Sequence, residues 1–114
     1  MIQQALMDTR LGGILSQLLH TLASTDPELI KGLGIEVQSQ HWQPTEHELS
    51  VIDNAIRLAA SQRGWQSEVR SQPFESVQTY IAKLRLGSHL IESECCNITI
   101  ARLQTYVAAS RGEY

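Results

Sequence analysis

The clearest alternation of apolar and polar positions runs from Thr45 to Gly64. Apolar residues recur there at spacings of three and four, as on one face of an amphipathic helix: Leu49, Ile52, Ala55, Ile56 and Ala59. Thr45 and Glu48 have the spacing of a capping box, in which each side chain accepts a hydrogen bond from the other residue's backbone N–H. Gly64 is a typical residue just after a helix end. The pattern predicts a helix over 45–63.

Three further stretches, 14–23, 73–94 and 98–110, carry helical apolar stripes. Their inward positions are Ile14, Leu15, Leu18, Leu19 and Leu22 in the first, Phe74, Val77, Ile81, Leu84 and Ile91 in the second, and Ile100, Leu103, Tyr106 and Val107 in the third. Pro73 suits the first turn of the second helix and Asn97 can cap the third. A shorter helix is predicted to begin at Asp26-Pro27 and to end by Gly34. In the first stretch, Gly12-Gly13 marks a helix start, a bend or a close backbone approach.

These stripes predict that the chain is all-α, a small four- to five-helix bundle in which each apolar face is buried on the others. A chain of 114 residues has the length of one domain, so we expect a single helical domain over residues 1–114. A minor alternative is an α+β fold in which residues 35–38 pair with 66–70 as a short two-stranded ribbon.

Composition narrows the class of function. Nine basic and twelve acidic residues give a net charge of −3, which argues against a generally basic nucleic-acid binder. Charge is also segregated along the chain: residues 26–56 hold six acidic residues and one basic, and residues 57–85 hold five basic and two acidic. Such segregation can orient a partner or a second copy of the chain, although solvated helix faces explain it equally well.

No pattern of catalytic or metal-binding residues stands out. The histidines His20, His41, His47 and His89 lack the spacings of zinc or di-iron motifs, and no serine lies in a nucleophile elbow. Cys95 and Cys96 are adjacent, and their Cα atoms, about 3.8 Å apart, are too close for an ordinary disulfide. We therefore expect no enzyme activity, no cofactor and no metal. A thiol or metal switch at the two cysteines is a third, weaker hypothesis.

A helix-turn-helix is the main alternative. The end of the helix predicted over 73–94, the turn at 95–97 and the helix from Ile98 have roughly the spacing of that DNA-binding motif. Thr99, Arg102 and Thr105 would then lie toward the groove of DNA. Glu92 and Glu94 would face phosphates, however, and any bundle also uses short turns between helices. A DNA-binding transcriptional regulator is accordingly the second hypothesis, and nucleic acid is a possible but not favoured partner.

The favoured hypothesis is a non-enzymatic protein–protein interaction module, such as an adaptor, a chaperone or a regulatory protein. Its predicted partner contacts are Trp42, Arg57, Arg63 and Arg85, since tryptophan and arginine are common anchors of interfaces. Trp42 is the strongest candidate because it lies in a polar stretch. The alternative for Trp65, which follows a helix end, is that it covers the core from a loop.

We also expect a homodimer and a cytoplasmic location. The dimer interface could use apolar side chains that the core does not need: Leu11, Ile30, Leu33 and Leu86. The first residues lack the basic segment and cleavage site of a secretory signal. The longest apolar stretch, from Ile14 to Leu22, is too short and too polar to span a membrane. No membrane contact is therefore expected.

Overall fold

The structure, a computed structural model, describes the backbone of residues 2–34, 44–74 and 77–113, and the side chains of residues 12–34, 44–73 and 78–113. Within these ranges the chain forms helices α1 (Ile2–Thr25), α2 (Pro27–Leu33), α3 (Glu46–Gln62) and α4 (Ile98–Ser110), and strands β1 (Gln66–Phe74), β2 (Val77–Leu86) and β3 (His89–Cys95). The three strands form one antiparallel sheet in the order β1-β2-β3. The fold class is therefore α+β, and the prediction of an all-α helical bundle is wrong.

The error lies in residues 73–94, which the apolar pattern predicted as one helix. Residues 77–86 form β2, and residues 89–94 belong to β3, which pairs with β2 as a hairpin. Ala82, Leu84 and Leu86 are buried, whereas Lys83 and Arg85 between them point to the other face, which is the period of two that a strand requires. The chain reverses at Gly87, whose φ of 61° lies in the left-handed region, and Leu86 pairs with His89 across the turn. Gly-Ser is a typical two-residue hairpin loop.

Helices α3 and α4 confirm the predictions for 45–63 and 98–110 to within a residue. Their caps form as expected. The Thr45 hydroxyl accepts from the backbone N–H of Glu48 at 3.1 Å, and the Glu48 carboxylate accepts from the N–H of Thr45 at 3.0 Å. The Asn97 side chain accepts from the N–H of Ile100 at 3.1 Å. These local signals specify helix ends without help from the rest of the fold.

Helix α1 is longer than predicted, because it continues through Gly12-Gly13 rather than starting after them. Gly12 is buried within this helix. Residues 35–38, which the ribbon alternative paired with 66–70, lie outside the described residues. Residues 66–70 pair with 81–85 in the sheet that the structure describes.

The core is centred on α4. This helix packs against β2 and β3 on one side and against α1 and α3 on the other, and α2 packs against α1 and α3. Eight of its thirteen residues are buried. Leu33 and Leu86, which we expected to be left over for an interface, also belong to this core, and Ile30 packs against it. The opposite face of the sheet, here called the open face, carries exposed charges such as Arg85, Glu92 and Glu94.

Two glycine substitutions test the turn. We expect Gly87→Ala to lower the free energy of unfolding by about 1 kcal/mol, because an L side chain is strained at a φ of 61°. Gly32→Ala is the control: Gly32 lies within α2 and no atom lies within 4 Å of the added Cβ, so this change should stabilise by about 0.5 kcal/mol. Urea unfolding followed by circular dichroism measures both. Equal effects of the two substitutions would contradict the hairpin turn.

Candidate partner-binding groove

An open groove of about 410 Å³ runs between α2 and α3. Its apolar lining comes from Leu29, Ala55, Leu58 and Ala59, and its polar lining includes Asp26, Glu28 and Arg63. Leu58 is 61% exposed, the largest exposure among the large apolar side chains that the structure describes. The groove lies within the range of about 300–1,000 Å³ typical of ligand clefts. An exposed leucine beside a half-apolar groove is the type of surface that a partner buries.

A cluster of three side chains closes one end of the groove. The Asp26 carboxylate accepts a hydrogen bond from the Tyr106 hydroxyl at 2.8 Å and from the Arg63 guanidinium at 3.2 Å. Asp26 is the N-cap residue of α2, Arg63 is the C-cap residue of α3 and Tyr106 belongs to α4. One carboxylate oxygen therefore joins three helices. Although Asp26 is the N-cap residue of α2, its side chain makes no capping hydrogen bond to that helix.

Aromatic contacts hold the arginine of this cluster in place. The Arg63 guanidinium lies 5.0 Å from the centre of the Trp65 ring and 5.8 Å from that of Tyr106. The two rings are themselves 5.6 Å apart and tilted by 57°. A guanidinium over an aromatic face is attracted by the electron-rich ring. Trp65 thus packs on the core from the connector after α3, as one interpretation of the sequence proposed.

Burial and the bond to Asp26 alter the acidity of Tyr106. Its side chain is inaccessible to solvent, and both burial and the neighbouring carboxylate disfavour a phenolate. Together they raise its pKa from 10.0 to about 12, even though the nearby Arg63 acts in the opposite direction. Tyr106 is therefore a neutral hydrogen-bond donor at physiological pH. The hydrogen bonds of the cluster hold these three side chains in place.

Of the predicted partner contacts, the structure describes Arg57, Arg63 and Arg85, and it places them on different surfaces. Trp42 lies outside the described residues. Arg57 is exposed on α3, and Arg63 lies in the wall of the groove. Arg85 lies on the open face of the sheet, which is the face turned away from α4. Sequence reasoning did not identify Leu58 as a candidate contact, and it placed Tyr106 in the core without its partner Asp26.

The helix-turn-helix predicted around 95–97 is not formed, since β3 precedes the turn. The side chains assigned to the DNA groove are also engaged elsewhere. Thr99 and Thr105 are only 4% and 1% exposed. Arg102 makes a 2.5 Å ion pair with Asp53 of α3, and these two side chains are 11% and 18% exposed. Arg102 thus joins α4 to α3 beside a second, shallower cleft that includes Asn54 and Ile98.

The described residues bear on the metal hypothesis and on the expectation of no membrane contact. In the ranges 12–34, 44–73 and 78–113, no three His, Cys, Asp or Glu side chains cluster closely enough to hold a metal ion. Cys95 ends β3 and Cys96 begins the turn to α4, and both are partly buried. None of the helices that the structure describes is both long enough and apolar enough to cross a bilayer.

Arg102 should matter for stability. We expect Arg102→Ala to lower the free energy of unfolding by about 2 kcal/mol, because it leaves the Asp53 carboxylate largely buried without its partner. Arg111→Ala is the matched control, since its ion pair with Glu113 is half exposed and should contribute little. The double substitution Asp53→Ala/Arg102→Ala should lower the free energy of unfolding by less than the sum of the losses for Asp53→Ala alone and Arg102→Ala alone. Similar losses for Arg102→Ala and Arg111→Ala would contradict this assignment.

The raised pKa of Tyr106 predicts a loss of stability at high pH. Above pH 10 the unfolded chain releases the phenolic proton, whereas the folded chain keeps it until about pH 12. The free energy of unfolding should therefore fall across this interval, by up to about 2 kcal/mol from this group alone. Tyr106→Phe removes the titrating group, so the difference between the two urea-unfolding curves isolates its effect. Parallel pH profiles for the two proteins would refute the shift.

Comparisons with family models, with curated proteins and with solved structures give no match for this chain.

Proposed function

We propose that this chain is a non-enzymatic protein-interaction module that binds a short segment of another protein in the groove between α2 and α3. The observation that carries the proposal is Leu58, an apolar side chain held in solvent beside the apolar lining of that groove. Burying a leucine in an interface stabilises binding by about 2 kcal/mol. A groove between two helices is also a common receptor for the apolar face of a peptide helix.

Charge narrows the chemistry of the partner. The groove lining contains two carboxylates, Asp26 and Glu28, and one cation, Arg63. Asp26 and Arg63 already neutralise each other, and within the described side chains Glu28 has no ion-pair partner. One uncompensated negative charge therefore stands next to apolar surface. The segment that complements it presents an aliphatic or aromatic side chain beside a lysine or arginine.

The groove is built before the partner arrives. Its two walls are joined through Asp26 and Arg63, and this pair is anchored to α4 by the buried Tyr106 hydroxyl. A preformed cleft loses less conformational entropy on binding than one that must be ordered first. The same rigidity makes Arg63 a structural member of the site as well as a candidate contact.

Other parts of the sequence hypothesis stay predictions. Contacts from Trp42, Arg57 and Arg85, the adaptor, chaperone or regulatory role and the cytoplasmic location rest on sequence grounds alone. DNA binding is likewise untested, and its proposed helix-turn-helix is absent from the residues that the structure describes.

Selection from a random peptide library displayed on phage tests the proposal. We expect the immobilised native chain to enrich peptides that combine an apolar anchor with Lys or Arg. For a synthetic peptide of the enriched sequence, Leu58→Ala should raise the dissociation constant about tenfold, because most of the buried apolar side chain is lost. Glu28→Gln should weaken binding in a manner that added salt masks.

Leu90→Ala is the matched control. Leu90 is another exposed leucine, but it lies on the open face, opposite Arg85. Its replacement should leave the affinity unchanged. Enriched peptides that bind Leu58→Ala as tightly as the native chain would place the binding surface elsewhere, and the absence of any enrichment would contradict a peptide-binding role for this groove.

A further inference from the structure

Strand β1 is an edge of the sheet and its residues are accessible. Among residues 2–34, 44–74 and 77–113, β1 pairs with β2 alone, at one end of the order β1-β2-β3. From Gln66 to Pro73 every side chain is exposed except that of Val69, which is half-buried. No strand that the structure describes pairs with the other edge of β1, and the backbone N–H and C=O groups of a sheet edge can accept a further strand. This surface is separate from the groove and does not depend on the proposed function.

The sequence of this strand is complementary to itself. Residues 66–72 are Gln-Ser-Glu-Val-Arg-Ser-Gln, which is symmetric about Val69 except that Glu68 on one side corresponds to Arg70 on the other. When two such segments run antiparallel with Val69 opposite Val69, each glutamate lies opposite an arginine. Serine then faces serine and glutamine faces glutamine. The one departure from symmetry is the pair Glu68 and Arg70. A fully symmetric segment would place like charges opposite each other here, whereas Glu68 opposite Arg70 is an attractive pair.

We propose that β1 pairs with β1 of a second copy of this chain, antiparallel about a two-fold axis at Val69. An interface of this kind uses the same residues from both subunits, and self-complementarity is what a two-fold axis demands. The three strands of each copy then form one continuous sheet of six. Its central strand pair contributes about one inter-chain hydrogen bond for each residue paired over 66–72.

Charges on the open face support this register. Within one copy, Glu68 lies opposite Lys83, and the Lys83 ammonium is 4.0 Å from the Glu92 carboxylate. Arg70 lies opposite the uncharged Ile81 and has no ion pair with any described residue. Pairing of the two copies sets Arg70 of the second copy beside Glu68. The row Glu92, Lys83, Glu68 and that arginine then alternates in sign across the joined sheets.

The opposite edge of the sheet does not offer the same complementarity. Strand β3, His-Leu-Ile-Glu-Ser-Glu-Cys, contains no lysine or arginine. Pairing it with itself about residue 92 sets Glu92 against Glu92, and pairing about residue 93 sets Glu92 against Glu94, both of which are repulsive. On β1, Pro73 follows the symmetric segment and lacks a backbone N–H, so it limits pairing to the complementary residues.

Charge reversal at the exposed positions tests both the dimer and its register. Sedimentation velocity over a range of concentrations should show a monomer–dimer equilibrium for the native chain. Glu68→Arg and Arg70→Glu each create two like-charge contacts in the dimer, and each should raise its dissociation constant about tenfold or more. Glu68→Arg/Arg70→Glu restores both pairs and should restore dimerisation. Circular dichroism verifies that each variant keeps the fold.

The decisive experiment is sedimentation velocity of an equimolar mixture of the two single variants. In this mixture each arginine of one chain lies opposite a glutamate of the other, so the mixture should form a heterodimer although neither variant dimerises alone. Both variants keep a net negative charge, which excludes simple attraction between oppositely charged proteins as the cause. The proposal is overturned by a native chain that stays monomeric up to its solubility limit, by dimers that ignore these changes, or by a mixture without heterodimer.

Discussion

Burial of α4 is the constraint on which the rest of the structure depends. The helix lies between the sheet and the helices α1 and α3, so its apolar residues form the centre of the core and its polar side chains have little access to water. Buried polar groups must find partners within the protein. Tyr106 does so through Asp26, and Arg102 does so through Asp53, although Arg102 Nε and Asp53 Oδ1 have no hydrogen-bond partner among the described residues. These two bonds decide how α2 and α3 are placed around α4, and thereby create the groove.

Local signals were enough to predict α3 and α4, because the hydrogen bonds that cap a helix act within one turn. The capping box at Thr45 and the cap at Asn97 specify the starts of α3 and α4 by short-range hydrogen bonds. The hairpin could not be settled in the same way. Ile81, Leu84 and Ile91 have helical spacing, whereas Ala82, Leu84 and Leu86 have strand spacing, and both patterns include Leu84. The strand pattern prevails because it gives α4 a continuous apolar surface.

The candidate site shows a different limit of sequence reasoning. Arg63 was identified as a candidate contact, but its bond to Asp26 spans 37 positions and the bond from Asp26 to Tyr106 spans 80. No local pattern indicates which distant residues will meet. Leu58 was missed for a related reason: it extends the apolar stripe of α3, and the sequence does not show that this part of the stripe stays exposed. The uncovered part is where a partner can bind.

The groove and the edge of β1 are close along the chain, and this has a consequence for binding. Only Arg63, Gly64 and Trp65 separate the end of α3 from the start of β1. In the proposed dimer, Trp65 of one copy lies opposite Pro73 of the other. The residue whose ring contacts the Arg63 guanidinium therefore also borders the interface.

A dimer of this kind carries two grooves related by the two-fold axis. A partner with two suitable segments would then bind both, and the second contact would form at the high effective concentration that the first one creates. Modest affinity at each groove is sufficient under those conditions, which agrees with a site built from one exposed leucine and one uncompensated carboxylate.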